Sequence, residues 1–162
     1  MADRLDVRII TPERVVFKRE ADSVSLPGTV GEMDILPGHV ALFSTIKPGQ
    51  VQIKDSAETV IFACGTGLAE VYANRVTILV DTAEGSAEID PAAAQKLIDE
   101  AEDKLKNLSS EDEEQRFAFE TQLAAAKARI EVYERTASSV TETPQHGFSR
   151  AAMPAISPKP KE

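Results

Sequence analysis

A β-structured first half, sandwich or small barrel, followed by an antiparallel α-helical hairpin is the fold class this chain predicts. Three observations carry it. Short apolar runs recur up to Gly85 with turn residues between them. Several of those runs alternate apolar and polar side chains, the period of a strand with one wet face. Past Gly85 the composition shifts to Ala, Glu, Lys and Leu at helical spacing.

The elements follow in order. Leu5, Val7 and Ile9 alternate with Asp6 and Arg8; Thr11-Pro12-Glu13 breaks that strand and Val15–Phe17 starts another. Val24 and Leu26 alternate with Ser23 and Ser25 before the Pro27-Gly28 turn. Gly31–Leu42 is rich in turn residues and reads as a loop between strands, of the kind a scaffold holds out toward a partner. Ile35–Leu36, Ala41–Ile46, Val51–Ile53, Thr59–Ala63, Leu68–Tyr72 and Val76–Val80 are further strand candidates, with a hairpin turn at Asn74-Arg75. Many short strands at this spacing predict a sandwich or barrel.

Asp90-Pro91 then opens a helix, Asp capping free amides and Pro losing no bond at the first position. Ala94, Leu97, Ala101, Leu105 and Leu108 share one face. Asn107–Ser110 interrupts, and Ser110 with Glu113 forms a capping box for a second helix. Glu111–Glu114 set negative charge at the positive end of its dipole. Phe119, Leu123, Ala126, Ile130, Tyr133 and Ala137 repeat in steps of four and three, the seam of a paired helix. So short a connection makes the pair antiparallel. Much of the seam is Ala, which buries little area, so the contact between the helices is expected to be weak. The domains expected are residues 1–85 (β), 86–138 (hairpin) and 139–162, a Pro-rich tail read as disordered.

Bulk properties exclude some functions. A formal net charge of −9 repels phosphate backbones and anionic lipid, so nucleic acid is a poor partner and basic groups are favoured. The single cysteine, Cys64, has no intrachain partner, which fits a reducing compartment. No apolar run reaches the ~20 residues a membrane span needs. The N-terminal residues have acids where a signal peptide has a basic patch, so a soluble bacterial-type cytosolic protein is expected.

No catalytic constellation is present, so the chain is not expected to be an enzyme. Cys64-Gly65-Thr66-Gly67 is half of a nucleotide-binding turn without its third Gly or its helix; glycines there more often mark close backbone approach. His39 and His146 are the only histidines, and His39 with Glu32, Asp34 or Cys64 matches no standard ligand spacing, so no metal is expected. Cys64 reads as a buried, inert thiol. Glu32 and Asp34 read as solvated loop acids. Lys127, Arg129 and Arg135 stand out in an acidic chain; they either pair along the helix, as Glu131 with Arg135, or dock an acidic partner.

Four segments in this order resemble the ε subunit of F-type ATP synthase, counterpart of the mitochondrial δ subunit. They are Leu5-Asp6-Val7 with Thr11-Pro12-Glu13; Gly31–His39 (Gly-Glu-Met-Asp-Ile-Leu-Pro-Gly-His); Ile46-Lys47-Pro48-Gly49; and Asn74–Glu84 (Asn-Arg-Val-Thr-Ile-Leu-Val-Asp-Thr-Ala-Glu). The likeness covers about Leu5 to Ala137. It implies a two-layer β-sandwich of about ten strands followed by a C-terminal antiparallel α-helical hairpin. It also implies a non-catalytic central-stalk subunit without cofactor, bound to the γ subunit and turning with the c-ring. Such a subunit is peripheral on the cytoplasmic side of the cell inner membrane. By this likeness Gly31, Glu32, Met33 and His39 face ring or γ. The likeness further implies a hairpin that opens to meet the α/β head through Lys127, Arg129 and Arg135, blocking ATP hydrolysis. Ile89-Asp90 keeps the start of the family's Ile/Leu-Asp-x-x-Arg-Ala nucleotide motif, but Ala93 stands at the Arg position, removing the phosphate-facing cation. Asp34 stands where Gly is common, and Gly65-Thr66-Gly67-Leu68 is a variant of the usual Gly-Gly strand start. The runner-up is a cytosolic hairpin factor whose tip acids Asp112, Glu113 and Glu114 hold Mg²⁺ inside the channel of an enzyme such as RNA polymerase.

Overall fold

The computed structural model describes residues 3–109 and 111–141, side chains of 139–141 excepted. In chain order the strands are β1 (Leu5–Ile10), β2 (Val15–Ala21), β3 (Ser23–Pro27), β4 (Glu32–Ile35), β5 (Leu42–Ile46), β6 (Gly49–Lys54), β7 (Thr59–Cys64), β8 (Gly67–Tyr72), β9 (Arg75–Val80) and β10 (Ala83–Gly85). They form two sheets of five, β2-β1-β9-β8-β5 and β10-β7-β6-β3-β4, stacked as a sandwich. All pairings are antiparallel except β1 with β9.

Alternation does what the sequence expects of it. Leu5, Val7 and Ile9 of the first sheet meet Val24, Leu26, Ile35 and Val51 of the second in one fully buried core. Phe17 and Phe62 close it from opposite sheets, edge to face at 5.6 Å between ring centroids. Gly67 is the close approach anticipated for its glycine: a Cβ there would stand 1.9 Å from the Leu79 carbonyl oxygen. Two sequence readings shift. Within the Gly31–Leu42 stretch the strand expected at Ile35–Leu36 lies earlier, as edge strand β4 over Glu32–Ile35, paired with β3. The β8–β9 turn is Ala73-Asn74, both with positive φ (48° and 61°), while Arg75 is already the first residue of β9.

After a 3-10 turn at Ser86–Glu88 come α1 (Pro91–Asn107) and α2 (Glu113–Thr141). Asp90 caps α1, its Oδ1 accepting from the Ala92 and Ala93 amides at 3.0 and 3.1 Å. Ser110, expected as the second cap, lies outside the described residues; the Arg116 amide donates to the Asp112 carbonyl at 3.0 Å, leaving Asp112 flanking α2. α2 runs to Thr141, past the hairpin end expected at residue 138, and the remaining tail, 142–162, lies outside the described residues. The helices are antiparallel: Lys104 sits 5.3 Å over the Phe119 ring and Lys127 3.5 Å from Glu102.

The hairpin's faces differ from those the spacing predicts. α1 buries Ala94, Ile98 and Ala101, while Leu97 stays 49% exposed. On α2, Ala126 is buried as expected, but Tyr133 is 40% exposed and its neighbours Ala128 and Val132 are buried instead. The reason is a second contact. Ala128 and Val132 pack on Ala63 and Ile89, with Ile61 alongside, so the later half of α2 lies on β6 and β7.

Candidate functional site

Two surfaces carry the residues singled out above. The first is the β4 edge of the sandwich, with a connection at each end of that strand. The β3–β4 turn closes with the Gly31 amide donating to Gly28 at 3.3 Å and puts Val30 fully into solvent. Glu32 is exposed at the start of β4, opposite Pro27, while Met33 turns inward against the core. Asp34 accepts a short hydrogen bond from the Ser25 hydroxyl. In the β4–β5 connection, Leu36-Pro37-Gly38-His39 is a β-turn with the His39 amide donating to Leu36 at 3.1 Å. His39 Nδ1 lies 2.8 Å from the Val40 carbonyl, a contact that requires the Nδ1–H tautomer. Leu36 and Val40 are 56% and 76% exposed, so this edge is apolar as well as polar.

The second surface is the basic stretch of α2, and here every predicted residue has an intramolecular partner. Arg129 donates to Glu84 of β10 in a short, half-buried ion pair. Lys127 pairs with Glu102 of α1 at 3.5 Å. Arg135 does not meet Glu131 directly as the helical spacing suggests; Gln50 of β6 stands between them. Arg135 Nη1 donates to Gln50 Oε1 at 2.7 Å, and Gln50 Nε2 donates to Glu131 Oε2 at 2.6 Å. The Arg129–Glu84 pair, the Gln50 bonds and the Val132 contact hold α2 down on the second sheet. Glu32 of the loop edge and Arg135 of the helix line one open cleft of about 370 Å³, with Lys47 and Glu131. The two surfaces therefore meet there, whereas His39 and Asp90 lie apart from it.

The degenerate nucleotide motif has structural work. Ile89 is buried under α2, and the Asp90 carboxylate accepts from the α1 amides. Among the described residues no three His, Cys, Asp or Glu side chains converge as a metal site, the acids of the hairpin tip included. Cys64 is buried, and burial, aided by the nearby Asp81 charge, raises its thiol pKa to about 12.

One surface escaped sequence reading. On the outer face of the first sheet, cross-strand register aligns Val15, Ile10, Leu79 and Leu68 in an unbroken apolar row ending at Thr45. Val15 and Leu79 are 57% and 46% exposed. The signal was consecutive apolar residues, Ile9-Ile10 and Ile78-Leu79-Val80, where strict alternation would place a polar side chain outward.

Residues 4–86 match the family described as ATP synthase, Delta/Epsilon chain, beta-sandwich domain. The chain is 37% identical over 132 residues to the ATP synthase epsilon chain of Geobacter sulfurreducens, covering 82% of this chain and 95% of the relative. The chain belongs to the ATP synthase epsilon-chain family. Other members are similarly close: that of Delftia acidovorans is 41% identical over 125 residues, 76% of this chain and 90% of the relative. In fold, the chain resembles a subunit in the Euglena gracilis mitochondrial ATP synthase OSCP/F1/c-ring structure, with TM-score 0.60 and 16% identity. That match covers 85% of this chain and 81% of the other. The family's β-sandwich and helical hairpin are thus the architecture described above, and membership displaces the polymerase-channel reading of the hairpin tip.

Proposed function

We propose that the chain is the non-catalytic central-stalk subunit of a proton-translocating F1Fo ATP synthase, coupling c-ring rotation to ATP synthesis in the F1 head. The loop edge at Gly31, Glu32, Met33 and His39 meets the c-ring or γ. The apolar row Val15, Ile10, Leu79 and Leu68 packs on γ, since an exposed, aligned apolar row on an otherwise charged sheet is the kind of surface that binds protein. The hairpin regulates hydrolysis by leaving the sandwich and carrying Lys127, Arg129 and Arg135 to an acidic segment of the head. Among the described residues no helix is long and apolar enough to cross a membrane, so attachment runs through the other subunits, peripheral at the cytoplasmic face of the inner membrane. Nucleotide sensing is not part of the proposal, because Asp90 is engaged as a cap and Ala93 offers no cation.

The observation that carries this reading is the small, separate contact between α2 and the second sheet. It leaves the sandwich core complete without the hairpin. Truncation after Gly85 tests it: the sandwich is expected to assemble with γ and the c-ring, and ATPase activity is expected to rise. Unchanged activity in an assembled complex would remove the inhibitory role. Failure to co-purify with γ would remove the stalk assignment.

A further inference from the structure

We infer that Asn74, on the β8–β9 turn, is the positioning residue of the loop edge: it fixes the orientation of the Pro37–Gly38 peptide and so the way Leu36, His39 and Val40 are presented. The functional half of this inference rests on the reading that the loop meets the rotor; the geometric half does not.

Leu36–His39 closes by the His39-to-Leu36 hydrogen bond at 3.1 Å, with Pro at its second position and Gly38 at φ +82° in its third. That is a type II turn. Type I differs mainly by a flip of the central peptide, and Pro at the second position suits both, so Pro37 does not choose between them. The donor of that central peptide is the Gly38 amide. It has no partner inside its own turn, and it donates instead to Asn74 Oδ1 at 2.7 Å. Flipping the peptide would swing this N–H away and bring the Pro37 carbonyl toward an amide oxygen, so the bond locks in the type II form that Gly38 permits.

Asn74 is itself held firmly enough to act as a reference point. Its φ of 61° is one an Asn tolerates, and its own carbonyl accepts from the Asp6 amide at 2.8 Å, tying the turn to β1. The reach is long in sequence, 36 residues, but short in space, because β5 lies beside β8 in the first sheet. Tyr72, 67% exposed, stands at the same turn. Asn74 thus joins the two connections at this end of the sandwich into one surface with a set shape.

The test uses the full chain and two variants. Asn74→Gly keeps a residue that accepts positive φ and removes the acceptor; Asn74→Asp keeps an acceptor of the same length. Hydrogen exchange at the Gly38 amide is expected to quicken by about tenfold or more in Asn74→Gly and to stay slow in Asn74→Asp, with β1 and β9 amides unchanged in both. Reconstituted with γ and the c-ring, Asn74→Gly is expected to bind several-fold more weakly, with Asn74→Asp restoring binding. Gly38 exchange unaltered in Asn74→Gly would overturn the inference. Faster exchange with unaltered assembly would uphold the geometry and overturn the rotor-facing role of this loop.

Discussion

Val132→Ala should release the hairpin without weakening the sandwich. Val132 is fully buried, and the cluster it belongs to holds only Ala63, Ile89 and Ala128, with Ile61 at the margin. The substitution deletes two buried carbons, about 1.6 kcal/mol at ~0.8 kcal/mol each, before any cavity cost. Every 1.4 kcal/mol is tenfold, so the undocked fraction should rise by about 15-fold. None of the main core side chains borders Val132, so the thermal transition of the sandwich should hold its place. Dyes on Ala57→Cys, at the β6–β7 tip, and Glu134→Cys, on α2, would read the docking distance; both sites are exposed. Cys64 should not compete for label, being buried with its thiol pKa raised to about 12. Loss of energy transfer at an unchanged sandwich transition is the expected result. If the sandwich transition fell in step with the transfer signal, hairpin and sandwich would be one cooperative unit and the reasoning would fail.

Gln50→Ala should undock α2 more gently, by a few-fold, because it removes two exposed hydrogen bonds of about 0.5–1.5 kcal/mol each and lets Glu131 and Arg135 pair along the helix; the same dye pair measures it. Ala73→Asn should raise the melting temperature by a few degrees, since Ala at φ 48° is strained by about 1 kcal/mol that Asn largely avoids. Leu79→Glu should abolish γ co-purification while leaving the free protein's unfolding within about 0.5 kcal/mol of the parent, because the side chain is 46% exposed. The Glu88 carboxyl is held below its usual 4.5 by the Arg14 hydrogen bond first and the Gly85 amide second. A depressed folded pKa gives stability that is present above about 4.5 and lost as pH falls through the folded value. The difference between parent and Arg14→Gln in unfolding titrations should therefore shrink in acid.

Strands such as β1 and β3 were legible because they have one wet face, and period-2 alternation survives in a single sequence at Leu5–Ile9 and Val24–Leu26. The start of α1 was legible because a cap is local chemistry, three residues long. The start of β4 was hidden for the opposite reason: Glu-Met-Asp-Ile is a short, acidic edge strand inside turn residues, apolar only toward Ile35, and its extent depends on β3 beside it. The docking face of α2 was hidden by its neighbour seam. A helix that buries two stripes blurs the single 3.6-residue pattern, and small Ala128 adds no contrast. Nor does local spacing announce Gln50 between Glu131 and Arg135, a pairing 81 residues apart.

That last contact changes how the basic residues act. With 27 acidic and 18 basic side chains, the chain is repelled at long range by any acidic partner. At physiological salt such repulsion fades beyond ~8 Å, so local cations decide recognition once surfaces touch. In the docked hairpin those cations are already committed: Arg129 to Glu84, Lys127 to Glu102, Arg135 to Gln50. An acidic segment of the head would therefore compete with the sandwich for Arg129 and Arg135, and its apparent affinity would be the intrinsic one scaled by the undocked fraction. Lys127 is different, because its partner lies on α1 and travels with the hairpin unless the helices also separate. Release from the sandwich alone thus frees two of the three cations, and separation of the two helices frees the third. Under the proposed regulatory role, release would accordingly take two steps, with the step at Val132 and Gln50 coming first.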